Sequence, residues 1–145
     1  MVFVTVSVPV AAMMLGAGTY NAATGTLTVT NTIIANSPAG GDCMNIGIVT
    51  GSHNLIQDTA HACGLTNGTD GNLIGFDPLL GPLANNGGST LTLLPLLGSP
   101  AINAGDNASC PAFDQRGFPR PMDGICDIGA MEWALPRAYF PPVRR

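Results

Sequence analysis

Five polar side chains near the C-terminal end, Asp114, Arg116, Arg120, Asp127 and Glu132, are the residues whose types and spacing could do chemistry. An arginine beside carboxylates suits a polysaccharide lyase, which removes a proton α to a uronate carboxylate. The same residues suit a structural role, in which Arg116 bridges Asp127 or Glu132 and closes the end of the fold. A buried arginine–carboxylate pair needs both partners to offset desolvation, so it sets geometry more than it adds stability. The structural reading is preferred: Asp114, Arg116, Asp127 and Glu132 are expected to form an ion-pair cluster, and no catalytic residue is assigned.

Metal chemistry has weaker support. Asp70, Asp77, Asp106 and Asn107 offer oxygen ligands of the kind calcium takes. None follows an EF-hand spacing, however, and Asp and Asn are ordinary turn residues. His53 and His61 lie near Cys43 and Cys63, but the spacing fits no zinc ribbon. No cofactor is therefore expected, with calcium as the one candidate carried forward. The sequence has no Gly-x-Ser-x-Gly nucleophile elbow, and Gly16-Ala17-Gly18 lacks the third glycine of a dinucleotide fingerprint. Asn67-Gly68-Thr69 and Asn107-Ala108-Ser109 match glycan acceptor triplets and are read as turns. Tyr20, Trp133, Tyr139 and Phe140 are too scattered for a sugar-stacking platform.

Composition narrows the partners. The 145-residue chain is 46% hydrophobic and only 10% charged, with 19 Gly and 12 Pro, so turns must be frequent and long amphipathic helices rare. It contains no Lys, and its net charge is −4. Nucleic acid is excluded as a partner, because neutralising phosphates takes clustered Lys or Arg. Four cysteines, Cys43, Cys63, Cys110 and Cys126, have no CxxC spacing and suit two disulfides in an oxidising compartment. Sequence alone permits three connectivities; nearest-neighbour pairing, Cys43–Cys63 with Cys110–Cys126, is preferred.

The elements that would position these residues read as short strands. Val2, Val4, Val6, Val8 and Val10 alternate with Phe3, Thr5, Ser7 and Pro9, so residues 1–15 are expected to be an apolar strand or an atypical signal-like segment. Strand-like runs follow at Thr26–Ile34, Ile46–Val49, His53–Ile56, Gly71–Ile74, Thr90–Leu94 and Pro100–Ile102. The row Thr26, Thr28, Thr30 and Thr32 is read as an ordinary solvent-facing strand. Asn-Leu-Ile occurs at Asn54 and again at Asn72, eighteen residues on. A spacing near twenty is a coil length of a β-solenoid, whose coils bury their aliphatics only by stacking and whose equivalent Asn bond along the axis. The expected fold is all-β: right-handed parallel β-helix coils with an irregular, loop-rich C-terminal cap over residues 16–133, and an irregular tail at 134–145. An irregular β-sandwich stays open as the alternative.

More specific words support a resemblance. They include Thr26-Leu27-Thr28-Val29-Thr30-Asn31-Thr32-Ile33-Ile34-Ala35-Asn36, Gly41-Asp42-Cys43, Ser52-His53-Asn54-Leu55-Ile56 and Cys63-Gly64-Leu65. Further on come Asp77-Pro78-Leu79-Leu80-Gly81-Pro82-Leu83-Ala84-Asn85-Asn86-Gly87-Gly88 and Leu97-Gly98-Ser99-Pro100-Ala101-Ile102-Asn103-Ala104-Gly105-Asp106. The last are Asp114-Gln115-Arg116-Gly117-Phe118-Pro119-Arg120-Pro121 and Cys126-Asp127-Ile128-Gly129-Ala130-Met131-Glu132. Together, over about residues 16 to 133, they resemble the choice-of-anchor Q region that closes secreted or surface-bound bacterial β-helix repeat proteins. Similar endings occur in proteins described as polymorphic outer-membrane or adhesin-like. The long upstream helix and signal peptide usual in that family are missing, and Trp133–Arg145 shows no sorting segment. The resemblance thus implies a fragment, a truncated reading frame or a short member.

It also implies a bacterial, secreted or cell-surface location and a structural or interaction module, adhesin-like or glycan-binding, without intrinsic catalysis. Expected partners are an extracellular glycan, a surface protein or the remainder of a longer β-helix chain. An open N-terminal coil would also expose strand edges and favour self-association. The alternative function is a fragment of a carbohydrate-active enzyme, a polysaccharide lyase or glycosidase; β-helix pectate lyases use a basic residue with calcium held by acidic side chains.

Overall fold

The computed structural model describes residues 4–7, 19–21 and 25–133. Among these described residues, eight short strands carry most of the regular structure: β1 (Val4–Ser7), β2 (Thr19–Asn21), β3 (Thr26–Thr30), β4 (Ile33–Ile34), β5 (Cys43–Asn45), β6 (Ile48–Ser52), β7 (Leu55–Ile56) and β8 (Leu73–Ile74). They form sheets in the orders β1-β3-β6, β2-β5 and β4-β7-β8. β3 pairs with β6, β2 with β5, and β4 with β7 and then β8 in parallel, whereas β1 lies antiparallel on β3. Residues 1–3 and 8–15 of the apolar N-terminal run, and the tail at 134–145, lie outside the described residues.

The expected right-handed parallel β-helix is corrected by these sheets. They hold only two or three strands each, none closes, and none continues as a solenoid sheet. Beyond Ile74 the described residues form no strand; the ladder is reduced to isolated antiparallel bridges at Leu80–Pro95, Ala84–Thr92 and Phe113–Pro119. The cause is local. Pro78, Pro82, Pro95 and Pro100 remove backbone donors, and positive φ at Leu79, Gly87, Gly88 and Gly98 turns the chain before a strand can lengthen. The expected strands at Thr90–Leu94 and Pro100–Ile102 are accordingly a single bridge residue, Thr92, and a turn.

Within the first half, three segments repeat one local geometry. Asn31, His53 and Gly71 each have positive φ, at 51°, 52° and 72°. Each is followed by a buried polar residue (Thr32, Asn54, Asn72) and then by the aliphatic pair of β4, β7 or β8. The left-handed residue reverses the chain, and the aliphatic pair then divides between two cores. Ile34 and Ile56 join Leu27, Val29, Cys43, Ala62 and Cys63, while Leu55 packs with Ala101 and Ile128. β3 alternates as its sequence demands, with Leu27 and Val29 buried and Thr26 and Thr28 exposed. At Gly51 of β6 an added Cβ would lie 2.5 Å from the Val29 carbonyl oxygen, so only glycine allows this approach.

The buried asparagines connect the segments. The Asn54 amide nitrogen donates to the Val29 carbonyl (2.9 Å) and to Asn72 Oδ1 (3.0 Å), and its oxygen accepts from the Thr32 N–H at 3.1 Å. Asn72 Oδ1 also accepts from the Asn54 N–H, while its nitrogen reaches the Gly51 and Thr69 carbonyls, both at 2.9 Å. A second pair forms where the Asn21 amide donates to Asn45 Oδ1 at 2.9 Å. The two disulfides are Cys43–Cys63 and Cys110–Cys126. The first ties β5 into the main core, and the second binds the 107–109 turn to the segment before Asp127.

Two outcomes follow. Asn54→Ala removes bonds to three neighbours from a fully buried position and should lower unfolding free energy by about 2–3 kcal/mol, measured in urea. Reduction should cost roughly 3 kcal/mol per disulfide by freeing the unfolded chain. An unfolding midpoint unmoved by reductant would show that the bonds carry no stability.

Candidate functional site

The sequence-expected cluster is brought together, with a different pairing from the one anticipated. Arg116 does not bridge the carboxylates of Asp127 or Glu132. Its Nε and Nη2 donate to Asp114 Oδ2 at 2.9 and 2.7 Å, Nη2 also reaches the Glu132 carbonyl, and its guanidinium lies 4.5 Å from the Phe118 ring centroid. Arg120 is the residue that meets Glu132, with Nε donating to Oε1 at 2.7 Å. Its other nitrogens satisfy the carbonyls of Asp127 and Gly129 at 2.6 and 3.1 Å. The arginines therefore cap main-chain oxygens as well as pair with acids.

The carboxylates are equally occupied. Asp114 Oδ1 accepts the N–H groups of Arg116 and Phe118, and Oδ2 accepts that of Glu132. Glu132 accepts from Asp127 N–H and Met122 N–H. Asp127 accepts from Asn103 N–H (2.8 Å) and Trp133 N–H, which fastens the last described residues to the turn at 101–103. Side-chain exposure is 8% for Arg116, 0% for Asp114, and 1% for both Arg120 and Glu132. A polymer could not reach these groups, and a base needs a lone pair that is not already engaged.

Burial separates the two aspartates. Burial opposes the Asp114 charge, but the Arg116 side chain and the N–H groups of Phe118, Glu132 and Arg116 outweigh it and hold the carboxyl below its usual range. For Asp127, burial dominates the N–H groups of Asn103 and Trp133, the Glu132 charge adds to it, and the carboxyl is pushed up to about 6.

The remaining candidates are dispersed. Asp70 sits exposed in the 69–71 turn, Asp77 Oδ1 accepts from Leu79 N–H, and Asp106 accepts from Ala108 N–H and Ser109 Oγ to cap the 107–109 turn. Asn107 spans from the Gly124 carbonyl to the Cys126 N–H. The calcium set is thus a series of separate turns. His61 Nδ1 meets Asp58 Oδ2 at 2.7 Å, and His53 packs against Gly71, while Cys43 and Cys63 are joined to each other. Among the described residues, one group of three possible metal ligands is compact, Cys110, Cys126 and Glu132. Its sulfurs are bonded together and its carboxylate is held by Arg120, which leaves no thiolate to ligate.

What sequence reasoning missed is a groove of about 300 Å³ between β4 and the Leu80–Pro95 region. Ile33, Leu83, Leu91 and Leu93 line it together with the polar Thr92 and Gln115; no charged residue contributes. Leu83, Leu91 and Leu93 are 62%, 56% and 45% exposed. Leu91 and Leu93 were legible only as part of a strand, because nothing in the local pattern tells which side faces water. Also missed was the latch between the halves: Asn31 Oδ1 accepts the Asp106 N–H at 2.7 Å and its amide returns a bond to the Asp106 carbonyl at 3.0 Å.

Comparison with protein-family models, curated proteins and solved structures finds no match to this chain. Among the described residues no helix is long and apolar enough to cross a membrane. The two disulfides accord with an oxidising environment.

Asp127 gives the site a pH signature. Its folded carboxyl holds a proton up to about pH 6 that the unfolded chain releases near 3.8. Its contribution to stability is therefore fully present below the unfolded value and lost as pH rises through about 6. Asp114 works oppositely, losing its contribution only as pH falls below the ordinary carboxylate range. Urea unfolding of Asp127→Asn between pH 4 and 7 should show a smaller fall in stability with rising pH than the parent chain; equal slopes would contradict the assignment.

Proposed function

We propose that this chain is a disulfide-braced structural and interaction module of a secreted or cell-surface protein, with no catalysis of its own. The observation that carries the reading is the internal saturation of the acid–arginine cluster. Its four most suggestive side chains, Asp114, Arg116, Arg120 and Glu132, bond to each other and to the main chain and are nearly inaccessible. The surface instead offers an uncharged groove with exposed leucines, which suits contact rather than bond-making. The disulfides support an extracellular setting, and the absence of lysine argues against an anionic polymer such as nucleic acid. A bacterial surface protein ending of choice-of-anchor Q type, adhesin-like, with a glycan or a surface protein as partner, remains the most specific version of this proposal.

The competing assignment, a uronate lyase or glycosidase fragment, is tested directly. Polygalacturonate incubated with the chain, with and without calcium, should yield no unsaturated uronate by ultraviolet absorbance and no new reducing ends. Product that disappears in Arg116→Ala, with the folded spectrum retained, would overturn the proposal.

A further inference from the structure

The chain beyond Trp133 leaves the folded body beside the groove. Ala130 and Met131 belong to the groove lining, and the two residues that follow are pinned. Arg116 Nη2 donates to the Glu132 carbonyl, and the Trp133 N–H donates to Asp127 Oδ2. The exit is therefore fixed next to the exposed leucines Leu83, Leu91 and Leu93.

We propose that residues 134–140 of this same chain fold back into the groove, with Leu135 and Phe140 as the side chains that enter it. The proposal deepens the reading of the groove as a contact surface, on which it rests, by naming the resident occupant. Reach selects the segment. Leu135 follows Met131 by four residues and Phe140 by nine, so even a fully extended chain keeps them within about 14 and 32 Å of that lining residue. The apolar run that follows β1 has no such anchor. It starts from Ser7, paired with Thr26, and rejoins at Thr19, paired with Cys43, and neither β1 nor β2 lines the groove.

Chemistry selects the side chains. The polar members of the lining are already bonded: Asn31 to Asp106, Thr32 to Asn54, Thr92 to Ala84 and Asn86, and Gln115 to Thr90. An aliphatic or phenyl group can cover them without stranding a donor. Arg137, by contrast, would lose its hydration against walls that offer no carboxylate. Pro136 and Pro141 bias Leu135 and Phe140 toward extended backbone, which suits a segment laid along a groove. Charge and tethering favour this segment over a free one. Residues 134–145 hold three of the chain's five basic residues and none of its nine acids, so they are drawn to the acidic body they leave. A short tether also holds the segment at an effective concentration on the order of millimolar.

The test is NMR on the full chain, with leucine methyls and phenylalanine rings labelled, at a concentration where sedimentation gives a monomer. Nuclear Overhauser contacts should link the Phe140 ring and the Leu135 methyls to the methyls of Leu91 and Leu93. In the double variant Leu135→Asp, Phe140→Asp these contacts should be lost and the Leu91 and Leu93 methyl signals should move. Amide signals of β3 and β7 should stay in place, because both substitutions lie outside the folded body. Absent contacts in the parent chain, or unmoved leucine signals in the variant, would overturn the proposal. In a mixture of labelled and unlabelled chains, contacts that cross between molecules would give the groove to a second copy and overturn it equally. Those failures leave the polygalacturonate result untouched, whereas lyase product would sink the module reading whatever the segment does.

Discussion

Asn54 has no exposed surface, and its side chain makes bonds to the β3 carbonyl of Val29, to the N–H that precedes β4 and to Asn72 before β8. Strands of two residues make too few ladder bonds to hold three successive segments in register. The turns between them also leave main-chain groups inside, where each would cost free energy if unpaired. One amide answers both needs, because it carries donor and acceptor on a side chain that reaches across the stack. Each aliphatic pair can then divide its side chains between the Leu27–Val29 core and the Leu55–Ile128 core. The 106–133 region docks on the same foundation. Asn31 at the head of β4 exchanges two bonds with Asp106, and its carbonyl accepts the Gly129 N–H at 2.8 Å.

The acid–arginine cluster performs the corresponding task at the irregular end. Residues 101–133 contain no strand, so their carbonyls and N–H groups cannot be paired by a ladder. Arg120 and Arg116 supply the missing donors and Glu132, Asp114 and Asp127 the missing acceptors, while opposite charges keep the buried groups compatible. A guanidinium that caps three carbonyls or carboxylates, as that of Arg120 does, serves as a strut.

Local features were legible in the residues themselves. Alternation in Thr26–Thr30 determined which side chains face inward, because the period of a strand is two. The cysteine count and spacing led to the two disulfides that form. The recurring Asn-Leu-Ile marked segments that do pair in parallel, Leu55 opposite Leu73 and Ile56 opposite Ile74. The acid–arginine cluster was recognisable by composition, since Arg and Asp within a low-charge chain stand out.

Extent and partner choice were decided elsewhere. A spacing near twenty says that neighbouring segments can stack; it cannot say how many do, and proline and left-handed turns beyond Ile74 ended the sheets that a solenoid would have prolonged. Which arginine meets which acid depended on separations in space between residues 114, 120 and 132, and Arg116 took Asp114 while Arg120 took Glu132. The groove arose only when the Leu80–Pro95 region closed over β4 from a distance of some fifty residues along the chain. Sequence by itself determined periodicity, turn chemistry and cysteine supply, all of which act between near neighbours. Tertiary structure decided the ion pairing, the end of the ladder and the groove, because each depends on where distant segments come to rest.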